Sequence, residues 1–226
     1  MANKVRLKTL ISRIRARGEI RDVYVSDDVM VDWINSAVKD LHEQILGVNQ
    51  DYFVKTSDNI SIKSGTDKYS LPEDFASAIK VELLYQGTTD WRKLSKFSVS
   101  DMNNNESFAP TRLQWRYRIL DDYLYISPTP ATTGTVRIWY VPVPPDAVDN
   151  EEIDFIYGWD EYVLLECLVR HAHKEESDPT GFATSQARVL DRILSRAKNR
   201  DLGEPNVVRD VEREGFYTRF PWMRIS

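Results

Sequence analysis

The sequence predicts an α+β protein with helices at both ends of the chain and a β-rich region between them. Apolar residues recur every three or four positions in residues 1–48 and again in 158–204, which is the period of amphipathic helices. In residues 49–157 apolar and polar residues alternate, which is the pattern of half-buried strands. Residues 205–226 follow neither period and are predicted to form an extended C-terminal arm.

Two amphipathic helices are predicted at the start of the chain. The first covers about residues 4–17, with leucine and isoleucine on one face and basic residues on the other, and Gly18 ends it. The second covers residues 27–46, because Ser26 is a favourable N-cap before two aspartates and Gly47 ends the apolar pattern. The apolar face of the second helix consists of Met30, Trp33, Ile34, Ala37, Val38, Leu41 and Ile45.

The middle of the chain is predicted to contain a hairpin and several further strands. Residues 60–72 alternate around a polar turn at residues 64–67, which is typical of a β-hairpin. A proline-rich stretch at residues 142–145 then ends the β-rich region. The further strands are predicted at residues 78–86, 91–96, 114–120, 123–127 and 135–141.

Helical periodicity returns at Trp159. A helix over residues 159–176 has only a narrow polar side, so we expect it to be buried on most faces. The next helix, 181–202, is followed by Gly203 and Pro205, the usual order at a helix end. We expect these two helices to form an αα-hairpin that packs on the helix over residues 27–46. The predicted core residues are Trp33, Ile34, Leu41, Leu168, Leu190 and Ile193.

Charge is distributed unevenly along the chain. The chain has 30 basic and 35 acidic side chains and a net charge of −5, so no global positive field favours nucleic acid. Residues 1–22 nevertheless carry seven basic and two acidic side chains. Residues 146–161 carry seven acidic side chains and no basic one. The sequence therefore predicts two separate surfaces of opposite charge.

The composition also indicates the compartment. The chain has one cysteine, so it has no internal disulfide, and the first residues lack the apolar core of a signal peptide. No apolar run approaches the roughly 20 residues that span a bilayer. We therefore expect a protein that is made in the cytoplasm and does not contact a membrane.

Candidate catalytic residues are few. No glycine-rich phosphate loop, G-x-S-x-G, H-E-x-x-H or C-x-x-C motif occurs in the sequence. Cys167, His171 and Glu175 are spaced four residues apart on one predicted helix, which could align a thiol, an imidazole and a carboxylate. A single cysteine in an apolar helix more often packs as a small hydrophobic residue. We therefore expect no catalytic residue, no metal site and no cofactor.

The order of these elements resembles the head-to-tail connector proteins of tailed bacteriophages, also called adaptor or neck proteins. The resemblance covers about residues 4–206 and implies a helical bundle, made of the first and last helices, that carries a β-rich insertion. The stretches that carry the resemblance are SDDVMVDWINSAVKDLHEQI, YSLPEDF, YRILDDYLYISPTPA, VRIWYVP, GWDEYVLLECLVRHAHKEESD and RILSRAKNRDLGEP.

The resemblance implies a structural protein of the virion, located at the neck between head and tail. Such a protein forms a homo-oligomeric ring of about twelve copies, binds the portal protein and the next tail or nozzle protein, and extends the DNA channel. A ring of about twelve copies would carry a net charge on the order of −60, so DNA would pass without specific binding. Two alternatives stay open: a small nucleic-acid-binding or carbohydrate-binding module, and an enzyme with a site around Cys167 and His171.

Two groups of candidate site residues follow. The arm ends in aromatic and arginine side chains, which commonly anchor interfaces, and we expect it to bind the portal or a neighbouring subunit. These arm residues are Phe216, Tyr217, Arg219, Phe220, Trp222, Met223 and Arg224. The acidic segment is expected to face the lumen or a rim of the ring. Its candidate residues are Asp146, Asp149, Glu151, Glu152 and Asp154.

Overall fold

The structure is a computed structural model that describes residues 3–21, 24–98, 115–147, 152–155 and 159–199. Within these residues the chain forms four α-helices and eleven β-strands, which confirms the predicted α+β class. The helices are α1 (Leu7–Gly18), α2 (Asp27–Val48), α3 (Trp159–Lys174) and α4 (Thr180–Lys198). The strands are β1 (Asn3–Arg6), β2 (Lys55–Thr56), β3 (Ile60–Ile62), β4 (Lys68–Ser70), β5 (Phe75–Tyr85), β6 (Arg92–Lys93), β7 (Ser95–Lys96), β8 (Arg116–Leu120), β9 (Tyr123–Ser127), β10 (Gly134–Pro142) and β11 (Glu152–Phe155).

All four helices contribute to one hydrophobic cluster, here called the helical core. The periodic apolar faces explain the packing, because residues three and four positions apart lie on the same side of a helix. Of the predicted core residues, Ile34, Leu41, Leu168 and Ile193 are buried, as predicted. The other two, Trp33 and Leu190, are partly buried and pack against the same cluster.

The end of α1 differs from the prediction. Glu19, and not Gly18, adopts the left-handed conformation that ends the helix, with φ at 53°. Gly18 is needed for packing, since a Cβ at this position would lie 2.6 Å from Cδ2 of Leu168. Glycine here allows α1 to approach α3 closely.

Helix α2 begins at the predicted residue and ends two residues later than predicted. The Ser26 hydroxyl accepts a hydrogen bond from the Val29 amide at 3.5 Å. The helix continues through Gly47, because glycine lowers helix stability without preventing a helix. It ends at Val48, and the side-chain amide of the next residue, Asn49, donates to the Ala197 carbonyl at 2.9 Å and so joins the ends of α2 and α4.

Two sheets form a second hydrophobic cluster, here called the β core. One sheet has the order β2-β10-β5-β6, with β3 pairing on β10 as well, and the other has the order β4-β9-β8-β7. Alternate residues of each strand point to opposite faces, so each sheet supplies one apolar face. The buried residues are Ile62, Val81, Leu83, Leu94, Trp115, Tyr117, Leu124, Ile126, Val136, Ile138 and Tyr140.

The hairpin predicted over residues 60–72 is wrong. Strand β3 pairs with β10 and β4 pairs with β9, so the connection crosses from one sheet to the other. The Tyr69 hydroxyl holds this connection by accepting from the Lys63 amide at 3.1 Å and donating to the Thr66 carbonyl at 2.7 Å. Strands of three residues gain more by pairing with longer strands of larger sheets, because an isolated hairpin is marginally stable.

A two-stranded ribbon was not predicted. Strand β1 pairs antiparallel with β11, which lies in the acidic segment. Residues 4–6 of this strand were instead predicted as the start of the first helix. The pairing joins the beginning of the chain to the residues that precede α3, which brings two segments far apart in sequence together.

Candidate assembly surfaces

The first residues of the acidic segment, residues 146–161, are bound to side chains of α2. The Asn35 side chain accepts from the Ala147 amide at 2.8 Å and donates to the Ala147 carbonyl at 3.3 Å. The preceding residue, Asp146, pairs with Lys39 at 2.6 Å, and its side chain remains 58% exposed. The Asp146 carboxylate therefore stays accessible to solvent.

The ribbon brings acidic and basic residues of distant segments into register. Glu152 is the Cα partner of Arg6, and Asp154 is the Cα partner of Lys4. The remaining two predicted residues of this group, Asp149 and Glu151, lie outside the described residues.

The end of the acidic segment pairs with the basic helix α1. Arg13 Nη1 donates to Asp160 Oδ2 at 2.7 Å, and Arg17 Nη1 donates to Glu161 Oε1 at 2.5 Å. The Asp160 side chain is only 11% exposed, so the first pair is the better shielded one. Both carboxylates lie in the first turn of α3, where a negative charge interacts favourably with the helix dipole and stabilises the helix. The prediction of two separate charged surfaces is therefore wrong for these residues, which bind each other within one chain.

The candidate catalytic helix does not carry an activated thiol. Cys167 is fully buried in the helical core, and burial raises the pKa of its thiol to about 12. The thiol is therefore protonated at neutral pH, whereas nucleophilic cysteines need the thiolate. His171 Nε2 lies 3.4 Å from Glu175 Oε2, so the structure brings only these two of the three residues into polar contact. No three His, Cys, Asp or Glu side chains among the described residues could jointly hold a metal ion.

A groove of 630 Å³, here called the acidic groove, was not predicted from the sequence. It lies between the β2–β3 connection and the segment that joins β4 to β5. The sequence signal for this groove was the YSLPEDF stretch, residues 69–75, because its proline turn and the two acids after it form one wall of the groove. The groove is lined by Thr56, Ser57, Asp58, Ile60, Ser70, Leu71, Pro72, Glu73, Asp74 and Tyr140.

Asp74, one of the residues that line this groove, is held by two neighbours. Tyr140 donates its hydroxyl proton to Asp74 Oδ1 at 2.6 Å, and Lys55 Nζ lies 3.3 Å from Oδ2. The hydrogen bond from Tyr140, assisted by Lys55, lowers the pKa of Asp74. Burial and the neighbouring Asp74 carboxylate raise the pKa of Tyr140 to about 12. Asp74 therefore stays ionised and Tyr140 stays protonated across the neutral pH range, so their hydrogen bond persists.

A buried carboxylate lies on the other face of the five-stranded sheet. Burial disfavours ionisation of Glu82, but bonds from Lys80, Trp139 and Arg137 outweigh it and lower the pKa of Glu82 to about 2. The bonds from Trp139 Nε1 and Arg137 Nε are 2.9 and 2.7 Å long. The Arg137 guanidinium also lies 4.0 Å from the centre of the Trp91 ring. This network connects neighbouring strands β5 and β10, which is a structural role.

The seven predicted arm residues form the second group of candidate site residues. All seven lie outside the described residues: Phe216, Tyr217, Arg219, Phe220, Trp222, Met223 and Arg224. Their role in binding remains a prediction.

The described residues thus form a helical core drawn from both ends of the chain and a β core between them. The sequence model of the family described as SU10 adaptor protein matches residues 5–209, and the chain belongs to this family of phage head-tail adaptors. The resemblance to phage connector proteins is thereby confirmed. No curated protein matches the chain. Among the described residues, no helix combines the length and apolar character needed to cross a bilayer.

Proposed function

We propose that this phage adaptor forms a homo-oligomeric ring of about twelve copies between the portal and the tail. At the neck of the virion the ring extends the DNA channel, binds the portal on one side and the next tail or nozzle protein on the other. The observation that carries the proposal is the family match over residues 5–209, because that range spans every described helix.

The proposed ring subunit has a discontinuous helical bundle and a β-rich insertion. Residues 1–48 and 158–204 would form the bundle, and 49–157 the insertion, followed by the arm at 205–226. Support comes from the two hydrophobic clusters, since all four helices share the helical core. The buried residues of the β core, in contrast, all lie between Ile62 and Tyr140. Such a subunit can present different surfaces from its two parts.

The acidic segment is proposed to face the lumen or a rim of the ring. The exposed carboxylate of Asp146 supports this proposal, as does the net charge of −5 on each chain. The other residues proposed for this surface are Asp149, Glu151, Glu152 and Asp154. A negative lumen repels phosphates, so DNA passes through it without binding.

The arm is proposed to be the element that binds the portal or a neighbouring subunit. Its support is compositional: Phe216, Tyr217, Phe220, Trp222 and Met223 are residue types that are enriched in interfaces. Pro221 disfavours a helix there, so the segment suits recognition in an extended conformation.

Native mass spectrometry and negative-stain images of the purified protein, with and without its portal, test the proposal. We expect a closed ring of defined subunit number on the portal. A protein that stays monomeric with the portal present, at concentrations well above those of the virion assembly reaction, would contradict it. Duplex DNA or a carbohydrate bound tightly by the monomer would favour a binding module.

A further inference from the structure

The proposed ring assigns a function to the arm and to the acidic segment but none to the acidic groove. We propose that the groove binds residues 213–226 of a neighbouring copy of this chain in the ring. This inference rests on the proposed ring and identifies a receptor for the arm.

Two open strand edges border the groove. Among the described strands, β3 pairs only with β10, and β4 pairs only with β9. Ile60 of β3 and Ser70 of β4 both line the groove. The unpaired edges of such strands offer backbone donors and acceptors to an added extended segment. The groove is therefore suited to a peptide backbone.

The charges of the groove match those of the arm. Asp74 already binds Tyr140 and Lys55, whereas Asp58 and Glu73 are exposed at the groove. Residues 213–226 contain three arginines and one acidic residue, Glu214. Arginine binds a carboxylate through two parallel hydrogen bonds, which gives the contact a fixed geometry. The arginines of the arm would thus bind the carboxylates of Asp58 and Glu73.

The apolar part of the groove matches the remaining arm side chains. Ile60, Leu71, Pro72 and the Tyr140 ring supply apolar surface between the carboxylates. The arm carries large apolar side chains, Phe216, Tyr217, Phe220, Trp222 and Met223, next to Arg219 and Arg224. The volume of 630 Å³ lies within the range of about 300 to 1,000 Å³ that is typical of ligand-binding clefts. Aromatic anchors of the arm can therefore be accommodated.

The described chain ends at residue 199, next to the end of α2. The Ala197 carbonyl near the end of α4 accepts a hydrogen bond from Asn49, and the chain from Asn49 leads directly into β2 and the groove wall at Thr56. The chain between residues 199 and 213 can span at most roughly 50 Å. A subunit of this length has a radius of gyration of roughly 17 Å, so the arm can reach the adjacent copy.

A ring also needs two complementary sites on each subunit. A head-to-tail ring requires each subunit to present two different complementary surfaces, one to each neighbour. The arm and the acidic groove would form this pair. The same reach would also allow an arm to enter its own groove, and the experiment must separate the two cases.

Disulfide cross-linking of the full-length protein bound to its portal tests the inference. Glu73→Cys is combined with Thr218→Cys, and the sample is oxidised under mild conditions. The native Cys167 does not interfere, because it is buried and its thiol pKa is raised to about 12. The matched control combines Thr218→Cys with Thr89→Cys, an exposed position beyond the opposite end of β5.

We expect a ladder of covalently joined subunits on a non-reducing gel for the Glu73 pair and its absence for the Thr89 pair. An intrachain disulfide, seen as a monomer that migrates faster, would overturn the inference, because the arm would then occupy its own groove. Rings without cross-links, or equal cross-linking of the control, would overturn the groove as receptor while leaving the ring intact. If native mass spectrometry shows no ring, the proposed function and this inference both fail.

Charge reversal provides a second measurement. Arg219→Glu with Arg224→Glu should reduce the fraction of protein in rings, and Asp58→Arg with Glu73→Arg in the same chain should restore it. Failure of the second pair to restore rings, with the fold intact by circular dichroism, would contradict the proposed contact.

Discussion

The helical core and the β core use charged residues in different ways. In the helical core, ion pairs join segments far apart in sequence, as Arg13 does with Asp160 and Arg170 with Asp40. At the edge of the β core, Asp58 and Glu73 remain exposed beside open strand edges. Charged residues between the helices thus hold distant segments of one chain together, whereas the exposed acids at the groove could bind another chain, as proposed above.

The largest expected effect is on the helical core. Leu168 is fully buried where α1 meets α3, so Leu168→Ala leaves a cavity and should lower the free energy of unfolding by about 2 to 5 kcal/mol. Chemical denaturation measures this change. The control is Ile79→Ala, a residue that is 39% exposed on β5, where we expect a loss below about 1 kcal/mol. A loss below about 0.5 kcal/mol for Leu168→Ala would contradict the described packing.

The next effect concerns Glu82 in the β core. Its pKa is lowered to about 2 in the folded protein, so its contribution to stability is present above about pH 4.5 and is lost as the pH falls towards 2. The shift corresponds to about 3 kcal/mol. Glu82→Gln should therefore destabilise the protein at pH 7 by about 2 to 3 kcal/mol, with the difference from wild type shrinking towards pH 2.

Unfolding curves at several pH values between 2 and 7 check this prediction. The matched control is Asp90→Asn, an exposed acid on the turn after β5, which should change stability by less than about 0.5 kcal/mol. A Glu82→Gln variant with the pH profile of wild type would show that the network does not hold the carboxylate ionised.

A smaller effect is expected for the pairs between α1 and α3. A double-mutant cycle of Arg13→Ala and Asp160→Ala should give a coupling of about 1 kcal/mol, because Asp160 is largely buried while Arg13 is 43% exposed. The cycle for Arg17 and Glu161 should give less, about 0.2 to 0.5 kcal/mol, since both side chains are more exposed. Added salt should weaken the second coupling more than the first. The reverse order would contradict the described burial.

The smallest expected effect is the binding of duplex DNA to the protein. Basic side chains of α1 bind carboxylates of the same chain, and the net charge is negative, so duplex DNA should bind no tighter than about 10⁻⁴ M at physiological salt. A fluorescence anisotropy titration measures this affinity. Micromolar binding with a steep salt dependence would instead favour a nucleic-acid-binding module and would place its site on α1.

Much of the fold could be predicted from local patterns. Strand β9 matches its predicted limits, and α2 begins at the predicted N-cap, Ser26. The apolar period located α3 and α4 as well, and the resemblance predicted the family. Such signals are local, because N-caps, turns and helical periods depend on residues a few positions apart.

Features that depend on distant pairing were missed. The β1–β11 ribbon joins the first residues to a segment about 150 positions later, and no local pattern reports such a contact. The hairpin at residues 60–72 was predicted wrongly because a local turn was present while the two strands had better partners in separate sheets. The acidic groove lies at that same crossing, so the YSLPEDF stretch could indicate a turn with two acids but not the second wall of a groove. Charge runs likewise did not show that α1 and the acidic segment bind each other.

The division between a closed folded part and an external binding arm can be tested by deleting residues 214–226. The melting temperature of the isolated protein and its assembly on the portal are measured in parallel. If the arm serves assembly, the variant melts within about 2 °C of wild type and no longer forms rings on the portal. A large fall in melting temperature with portal assembly intact would contradict the account, because the arm would then belong to the fold of its own subunit.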